Sequence, residues 1–465
     1  VESFLIGHID NPKWHLVIQF VAGLIGDKFR KLQEERNDSE RSVTELTNDE
    51  RIIKAICKRF EEWMSESVEI YCKLRELLLI KCVHEMREVG VKEVMTSSKC
   101  NKFRLKNLNI APTESAALFY FFGHIKNLQI LEIQSCTMEH FAYQELANLL
   151  KKDNKIKHLK VQACRVSYND AKHVIGALKN KNCIVTRLDL AHNNLTAKSA
   201  KDLCITLTSG NCKLTELGLY KNKLTDEGVR YLSEALTSGK CKLTKLFLSD
   251  NELSDAAAKY LRDALKSGNC KLTELNLNNN KLIDVGAEHL SEALKNENCK
   301  LTELHLNDNG FTDKGAEYLS EALKNGNCNL AKLYLNNNEL EDAGIKYLGD
   351  VLMHKNCKLT ELRLHGNKLT DKGAKFLSEA LKNGKCNATY LYQRCKEMTA
   401  EGRKNIGPIL RHEYCKQITL YLCRTWLTDK GVEYLREPLK IRHREFTIYI
   451  GSKELNPKVN AKKLV

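Results

Sequence analysis

Cysteine recurs in this sequence at a fixed interval of 29 residues, and thiols in such a series could form disulfides, hold a metal or act as nucleophiles. The nine positions are Cys183, Cys212, Cys241, Cys270, Cys299, Cys328, Cys357, Cys386 and Cys415. A regular repeat points all of these side chains the same way, whereas a disulfide needs two Cβ atoms that face each other. The series contains neither a C-x-x-C pair nor a cysteine–histidine cluster with zinc spacing. We therefore predict small buried hydrophobic side chains, and unpaired thiols in this number indicate a reducing compartment, the cytoplasm.

Two other patterns that could carry chemistry are incomplete. The segment HEMRE, from His84 to Glu88, lacks the second histidine of the H-E-x-x-H zinc signature because Glu88 stands in its place. The chain contains no G-x-x-x-x-G-K-[ST] phosphate-binding loop, and its repeated polar residues place no nucleophile beside a base. The sequence therefore predicts no enzyme activity, no cofactor and no metal.

Each cysteine is followed at fixed offsets by the pattern L-x-L-x-x-N-x-L. In the repeat that begins at Cys212, the conserved pattern positions are Leu217, Leu219, Asn222 and Leu224. This pattern with a period between 20 and 29 residues is typical of leucine-rich repeats. The two alternating leucines predict a short strand that buries one face. Asparagine occupies the polar position in seven successive repeats, and we expect its side chain to bond backbone groups where the chain leaves the strand.

The second half of each repeat predicts an amphipathic helix, because apolar residues recur there at intervals of three and four. In the same repeat the apolar stripe is Val229, Leu232 and Leu236. We expect Thr225 and Asp226 to cap the start of this helix and Gly239 to end it. Parallel strands stack about 4.8 Å apart while packed helices need about 8–10 Å. The sequence therefore predicts an α/β leucine-rich-repeat horseshoe solenoid with a parallel inner sheet and outer helices.

The repeats are expected to occupy residues 98–443, in about twelve copies that become irregular at both ends. Residues 1–97 do not repeat and predict a small all-α subdomain, whose second helical segment is VEIYCKLRELLLIKCVHEMREVGVKEVM from Val68. Residues 444–465 predict a cap strand over FTIYI, at the edge of the fold, followed by a basic tail. No apolar run is long enough to span a bilayer.

The N-terminal helices and the repeats together resemble the NACHT–leucine-rich-repeat receptors, also called NOD-like receptors. The resemblance rests on Trp14, Phe20, Gly23 and Leu24, on the segment Leu77 to Glu88, and on repeats of the ribonuclease-inhibitor type. It implies that residues 1–97 are the last helical part of a NACHT module and that a NACHT ATPase lies upstream of Val1. It also implies an intracellular innate immune sensor whose repeats recognise a protein or microbial ligand, or restrain the ATPase.

Charge is interleaved along the chain, although Lys and Arg exceed Asp and Glu to give a formal net charge of +15. There is no arginine-rich helix or basic–aromatic block of the kind that binds nucleic acid. A ribonuclease-inhibitor-like enzyme inhibitor stays an alternative, but electrostatic steering toward a cationic enzyme calls for an acidic protein. A regulator of a small GTPase is the other alternative, and here the tail is basic rather than acidic.

Residues that alternate with the buried leucines are expected to face solvent on the concave sheet. Exposed Tyr and Arg on a rigid surface are typical of protein-binding hot spots. The predicted ligand-binding residues are Tyr220, Phe247, His305, Tyr334, Arg363, Tyr390, Tyr392 and Tyr421.

Overall fold

The computed structural model of the chain describes residues 68–86, 98–152 and 154–370, the residues 58, 60, 62–64, 372, 373, 375, 376 and 380, and the backbone of four strands beyond residue 389. The chain divides into two compact units, Val1–Leu195 with Ser209–Leu217, and Thr196–Thr208 with Gly218–Val465. The predicted domain boundaries at residues 97 and 443 lie outside the described residues. So do the N-terminal residues that carry the receptor resemblance, from Trp14 to Leu24.

In the first unit, short strands alternate with helices. The elements are β1 (Glu69–Cys72), α1 (Leu74–Met86), β2 (Lys102–Lys106), β3 (Asn109–Ile110), α2 (Pro112–His124), β4 (Ile130–Gln134), β5 (Thr137–Met138), α3 (His140–Lys151), β6 (His158–Gln162), α4 (Tyr168–Ala177) and β7 (Arg187–Asp189). Strands β1, β2, β4, β6 and β7 pair in this order as a parallel sheet, and β3 pairs with β5. Leu131 stands opposite Leu159, and Leu159 opposite Leu188, so the repeat spacing sets the register.

The helix predicted from Val68 onward begins only at Leu74, and this part of the prediction is wrong. Residues Glu69–Cys72 form β1, which pairs with β2 at the start of the sheet. Ile70 and Cys72 are buried while Glu69 and Tyr71 are exposed, which is the alternation of a half-buried strand. The alternation covers only four residues and directly precedes an apolar helix, so the whole segment was predicted as helix.

From residue 196 onward the chain repeats one helix and one three-residue strand. The elements are α5 (Ala197–Leu207), β8 (Glu216–Gly218), α6 (Thr225–Thr237), β9 (Lys245–Phe247), α7 (Asp255–Lys266), β10 (Glu274–Asn276), α8 (Asp284–Leu294), β11 (Glu303–His305), α9 (Asp313–Lys324), β12 (Lys332–Tyr334), α10 (Asp342–Leu352), β13 (Glu361–Arg363) and β14 (Tyr390–Tyr392). Strands β9 to β14 pair in parallel with their central leucines in one row. Leu246, Leu275, Leu304, Leu333 and Leu362 are fully buried.

The apolar stripe of each helix is buried as well as the strand leucines. These observations confirm the predicted fold class, an α/β leucine-rich-repeat solenoid of the horseshoe type. FTIYI lies in a strand as predicted, β16 (Glu445–Ile450), which pairs with β15 (Gln417–Leu422) in a separate three-stranded sheet. Its predicted edge position is wrong, because β17 (Lys453–Leu455) pairs antiparallel on its other side.

The asparagine ladder binds backbone groups of its own repeat and of the preceding one, as predicted. Asn251 donates from Nδ2 to the carbonyl oxygens of Leu219 at 2.9 Å and Leu248 at 3.2 Å, and its Oδ1 accepts from Leu224 N–H at 3.2 Å. Its side chain is 0% exposed. Because a buried backbone group without a partner is costly, each asparagine holds the turn after its strand in place.

The cysteine side chains of the described repeats lie in the interior of the fold. Those from Cys183 to Cys328 are buried, and Cys357 is half-buried. Burial raises the pKa of the Cys299 thiol to about 11, so it is uncharged near neutral pH. This confirms the prediction of small buried side chains for the six positions from Cys183 to Cys328, whereas Cys386 and Cys415 lie outside the described residues.

The predicted N-cap of α6 is wrong, although its C-terminal glycine is confirmed. Leu224 precedes the helix without a side-chain capping bond. Asp226 instead accepts from the next repeat, at 2.8 Å from Ser254 N–H and at 2.6 Å from its hydroxyl. Gly239 follows the C-cap with φ of +72°, in the left-handed conformation that favours glycine.

Candidate functional site

The predicted binding residues follow the sheet face of successive repeats. Phe247, His305, Tyr334 and Arg363 each end a three-residue strand, and Tyr220 lies just after β8. Tyr392 stands opposite Arg363 in the backbone register, and Tyr390 opposite Glu361. Tyr421 belongs to the separate three-stranded sheet of β15, β16 and β17. The side chains of these last three tyrosines lie outside the described residues.

His305, Tyr334 and Arg363 form a stack across three neighbouring strands, which we call the aromatic stack. The His305 and Tyr334 rings are nearly parallel, with centroids 4.2 Å apart and an interplanar angle of 13°. The Arg363 guanidinium carbon lies 4.6 Å from the centre of the Tyr334 ring, within cation–π distance. Strand pairing produces this stack, because β11, β12 and β13 bring these three residues side by side.

Tyr334 is only 5% exposed, so the expectation that it offers an exposed ring is wrong. The ring is covered by His305 on one strand and approached by Arg363 on the other. Burial, followed by the nearby carboxylates of Glu361 and Glu303, raises the pKa of its hydroxyl well above the ordinary value. Tyr334 therefore contributes rigidity to this face rather than contact area.

Glu303 is the carboxylate that joins the aromatic stack to the charged residues. It accepts from Lys332 Nζ at 3.0 Å and from the Tyr334 hydroxyl at 3.2 Å. Burial by itself would raise its pKa, but the hydrogen bond and charge of Lys332, with the nearby His305, hold the pKa of Glu303 below its ordinary value. Glu303 is therefore ionised at neutral pH and attracts the cations around it.

His305 is held in its neutral form. Its Nε2 lies 3.0 Å from Glu303 Oε1, yet this buried nitrogen makes no hydrogen bond to any residue that the structure describes. Burial lowers the pKa of His305 more than the carboxylates of Glu303 and Glu274 raise it. A neutral imidazole can stack on Tyr334 without placing an additional charge near Arg363.

A metal ion is one possible ligand of this face, since Glu274, Glu303 and His305 offer three ligand atoms within 4.8 Å of one another. Both carboxylates are already neutralised, Glu274 by Lys245 at 2.7 Å and Glu303 by Lys332 at 3.0 Å. A divalent cation would have to displace two ammonium groups from a site that Arg363 also flanks. These residues therefore fit cross-strand ion pairing better than metal ligation.

Three asparagines next to the strands form a row that we call the amide row. Each Oδ1 accepts a 2.8 Å hydrogen bond from the backbone N–H of the next repeat: Asn278 from Asn307, Asn307 from Asn336, and Asn336 from His365. The Nδ2 groups of Asn278, Asn307 and Asn336 make no hydrogen bond within the part of the chain that the structure describes, and these side chains are partly exposed. The row therefore presents fixed amide donors at the spacing of a parallel sheet.

Sequence reasoning noted that this surface is rich in asparagine but missed the orientation of the amides. It also missed an aspartate ladder that joins the helix starts of successive repeats. Asp284 accepts from Thr312 N–H at 2.8 Å and from the Thr312 hydroxyl at 2.6 Å, and Asp342 binds Thr370 in the same way. The 29-residue recurrence of aspartate next to a helix was the available sign, but its partner lies in the following repeat.

Comparison with known families identifies the repeats directly. A family model described as Leucine Rich repeat matches residues 181–204, 210–233, 268–291, 297–320, 326–349 and 355–378. A comparison with curated proteins found no match. Among the described residues, no helix combines the length and apolar character that a membrane span requires.

Three solved structures show a distant similarity to the chain. An internalin (inlF) from Listeria monocytogenes str. 4b F2365 is 18% identical with a TM-score of 0.37, and the match covers 62% of this chain and 81% of that one. The TLR13–ssRNA13 complex is 17% identical with a TM-score of 0.40, covering 71% and 41% respectively. The yeast Rad7–Elc1 complex is 16% identical with a TM-score of 0.38, covering 86% and 94%.

At these identities and scores the solved structures say nothing about function. The matched repeats, the in-register parallel strands and the asparagine ladder agree with one another. The chain therefore carries leucine-rich repeats.

Proposed function

We propose that the sheet face from β10 to β13 is a protein-binding surface, and that the chain is the ligand-sensing and autoinhibitory module of an intracellular NOD-like innate immune receptor. Leucine-rich-repeat proteins generally act in protein–protein interaction, and their fold is typically a non-enzymatic scaffold. The finer assignment to the receptor family depends on the sequence resemblance of residues 1–97 together with the repeats.

The observation that carries the binding proposal is the amide row. Because each Oδ1 is bonded to the next repeat, a partner meets donors that are already oriented and loses little conformational entropy in fixing them. Such donors match hydrogen-bond acceptors on a protein partner, namely backbone carbonyl and carboxylate oxygens. A flexible polar surface would offer the same atoms at a larger entropic cost.

The aromatic stack supports the same proposal. The buried Tyr334 ring holds the half-buried Arg363 guanidinium in a fixed position beside the amide row, and Arg is enriched in protein-binding hot spots. Phe247 and Tyr220 are half-buried on neighbouring strands and extend the proposed surface toward the N-terminus. Tyr390, Tyr392 and Tyr421 extend it toward the C-terminus in our proposal.

An intracellular location is supported by the buried free thiols of Cys183, Cys270, Cys299 and Cys328, since oxidising compartments favour disulfides. In a NOD-like receptor the partners of this module would be a protein or microbial ligand and the NACHT ATPase of the same receptor. We propose cytoplasmic localisation on this basis.

The test exploits the fact that Asn→Asp keeps the inward oxygen and replaces the outward NH₂ donor with a charged acceptor oxygen. We would compare the full chain with the double variant Asn307→Asp/Asn336→Asp as bait for proteins of a cell lysate, quantified by mass spectrometry. We expect partners of the amide row to be captured at least tenfold less by the double variant, because carboxylates would face their acceptor oxygens.

Asn325→Asp is the matched control on the helix side. Asn325 Oδ1 also accepts a backbone hydrogen bond, from Asn327 N–H at 2.9 Å, so the chemical change is the same. Equal capture by all three baits would contradict binding at this face. Inhibition of a pancreatic-type ribonuclease, or acceleration of GTP hydrolysis by a small GTPase, would instead support one of the two alternative functions.

A further inference from the structure

Two histidines meet on neighbouring helices of the first unit. His140 is the first residue of α3 and His173 lies in α4. Their Nε2 atoms are 3.1 Å apart, and the ring centroids are separated by 4.7 Å at an angle of 64°. His140 is exposed and His173 is half-buried, so the pair is open to solvent on one side. The proposed function makes no use of this pair.

The orientation of His140 is fixed by a carboxylate behind it. Asp170 Oδ1 lies 2.7 Å from His140 Nδ1. Asp170 is in turn held by Ser167, whose backbone N–H and hydroxyl donate to Asp170 Oδ2 at 3.2 Å and 2.5 Å. This arrangement keeps the proton of His140 on Nδ1, and the lone pair of Nε2 therefore points away from Asp170 toward His173. Gln144 Nε2 is also close to this lone pair, at 3.2 Å.

We propose that His140 and His173 form a binding site for a divalent transition metal ion such as Zn²⁺, with Asp170 as the residue that positions His140. Two imidazole nitrogens bound to one Zn²⁺ at about 2.0–2.1 Å in tetrahedral geometry are separated by about 3.3 Å, close to the separation seen here. A carboxylate hydrogen-bonded to the far nitrogen of a metal-binding histidine is the usual arrangement in such sites.

Two protein ligands leave coordination positions for water or for a ligand from another molecule. Gln144 is near enough to contribute its amide oxygen after rotation of the amide group. The ligand set of neutral imidazoles favours Zn²⁺, Cu²⁺ or Ni²⁺ over Mg²⁺ or Ca²⁺, which prefer oxygen ligands.

The test is isothermal titration of the full chain with Zn²⁺ in the presence of a non-thiol reductant. Because other histidines and cysteines can also bind Zn²⁺, the measured quantity is the difference in stoichiometry between wild type and variants. We expect His140→Gln and His173→Gln each to lose one equivalent. Asp170→Asn should keep that equivalent but bind it about tenfold more weakly.

Two control variants make the result specific. His124→Gln removes a half-buried histidine outside the pair, whose Nδ1 is bonded to the carbonyl oxygen of Tyr120 and whose ring lies against the Tyr120 ring, and it should leave the stoichiometry unchanged. His305→Gln removes the histidine of the acidic group on the sheet and should also leave it unchanged.

Histidine-selective NMR of the wild type should show the ring signals of His140 and His173 shifting together on Zn²⁺ addition, and circular dichroism confirms that each variant is folded. The proposal is overturned if His173→Gln binds as many equivalents as wild type. It is equally overturned if His305→Gln, rather than the pair, loses the equivalent.

Discussion

The carboxylate of Asp284 accepts a 2.9 Å hydrogen bond from the backbone N–H of Gly315 in the following repeat. The same oxygen also accepts from Thr312 N–H at 2.8 Å. A Cβ added to Gly315 would lie 2.6 Å from this oxygen, so glycine is required by the close approach of the carboxylate rather than by backbone conformation. Asp342 and Gly373 repeat the relationship two repeats later.

Gly315→Ala is therefore expected to lower the free energy of unfolding by about 1–3 kcal/mol, as overpacking does elsewhere. The carboxylate can retreat from the new methyl group only by giving up its hydrogen bonds. Urea unfolding followed by circular dichroism measures the effect. Gly176→Ala is the matched control, because a Cβ there meets nothing within 4 Å. That change should stabilise the protein by up to about 1 kcal/mol, and a similar gain for Gly315→Ala would contradict the steric argument.

Asp284→Ala should cost about 1–3 kcal/mol, because it leaves the N–H groups of Thr312 and Gly315 without their acceptor. In the double variant Asp284→Ala/Gly315→Ala, the methyl group no longer meets a carboxylate. The double variant should therefore lose less stability than the sum of the losses in the two single variants. A double-mutant cycle from urea unfolding measures the difference. Strict additivity would show that the two residues do not act on each other.

Asn251→Asp is expected to destabilise the second unit more than Asn251→Ala does. Alanine removes the donor and acceptor, at a cost of about 1–3 kcal/mol for the unsatisfied groups. Aspartate places a charge against the carbonyl oxygens of Leu219 and Leu248, which the amide now satisfies. The thermal unfolding midpoint should therefore be highest for wild type, lower for Asn251→Ala and lowest for Asn251→Asp. Asn329→Asp is the control that should change little, because Asn329 is exposed and aspartate keeps the hydrogen bond that its Oδ1 accepts from Lys358 Nζ.

Stability is expected to decrease on acidification in two steps that belong to neighbouring residues. The pKa of His305 in the folded protein lies below its ordinary value of 6.5, so below that pH the unfolded chain binds a proton that the folded one does not. The pKa of Glu303 in the folded protein lies below its ordinary value of 4.5. The ionised Glu303 therefore stabilises the folded protein fully above pH 4.5, and this stabilisation is lost as the pH falls through the pKa that Glu303 has in the folded protein.

His305→Gln should therefore flatten the pH dependence of the urea midpoint between pH 7 and pH 5 while leaving the lower step in place. His124→Gln, which removes a histidine far from Glu303 along the chain, serves as the control. A slope between pH 7 and pH 5 that is the same in wild type and His305→Gln would show that His305 does not contribute to it.

Tyr334→Ala should cost about 3–5 kcal/mol as a loss of buried aromatic volume. Tyr334→Phe removes only the 3.2 Å hydrogen bond to Glu303 and should cost about 1 kcal/mol. Thermal unfolding distinguishes the two. Equal stability of Tyr334→Ala and wild type would mean that the ring is not part of the core. The large expected cost is also why Tyr334→Ala is a poor probe of binding and why the amide row is tested instead.

Most of the fold could be predicted from the sequence because leucine, asparagine and cysteine recur at one interval, and each position has one physical role in every copy. Strand β1 escaped prediction because its alternation is short and adjoins a strongly apolar helix. Asp226 was predicted to cap its own helix because capping rules consider only residues within about three positions of each other. Its actual partner, Ser254, is a neighbour only after repeats stack.

The sequence predicted where the candidate-site residues lie in the repeats, but not which side chains are buried or how their amide groups are oriented. Alternation alone places Tyr334 and Arg363 on the sheet face, as observed. Burial of Tyr334 depends on the ring of His305 and on Arg363, which reach it across strand pairs and not along the chain. The direction of an amide, as at Asn307, is likewise set by a backbone N–H of another repeat.

The aspartate and asparagine bonds join equivalent positions in successive repeats, as Asp284 joins Thr312 and Asp313 joins Glu341. Removing one block of 29 residues, from Cys270 to Asn298, would give Asp255 the same separation along the chain from Thr312 that Asp284 now has. The two repeats that become adjacent would form the same hydrogen bonds, because each repeat carries the same donor and acceptor groups. A gene of this kind can gain or lose whole blocks by unequal recombination, and the length of the array can vary between relatives while the architecture of each block stays the same.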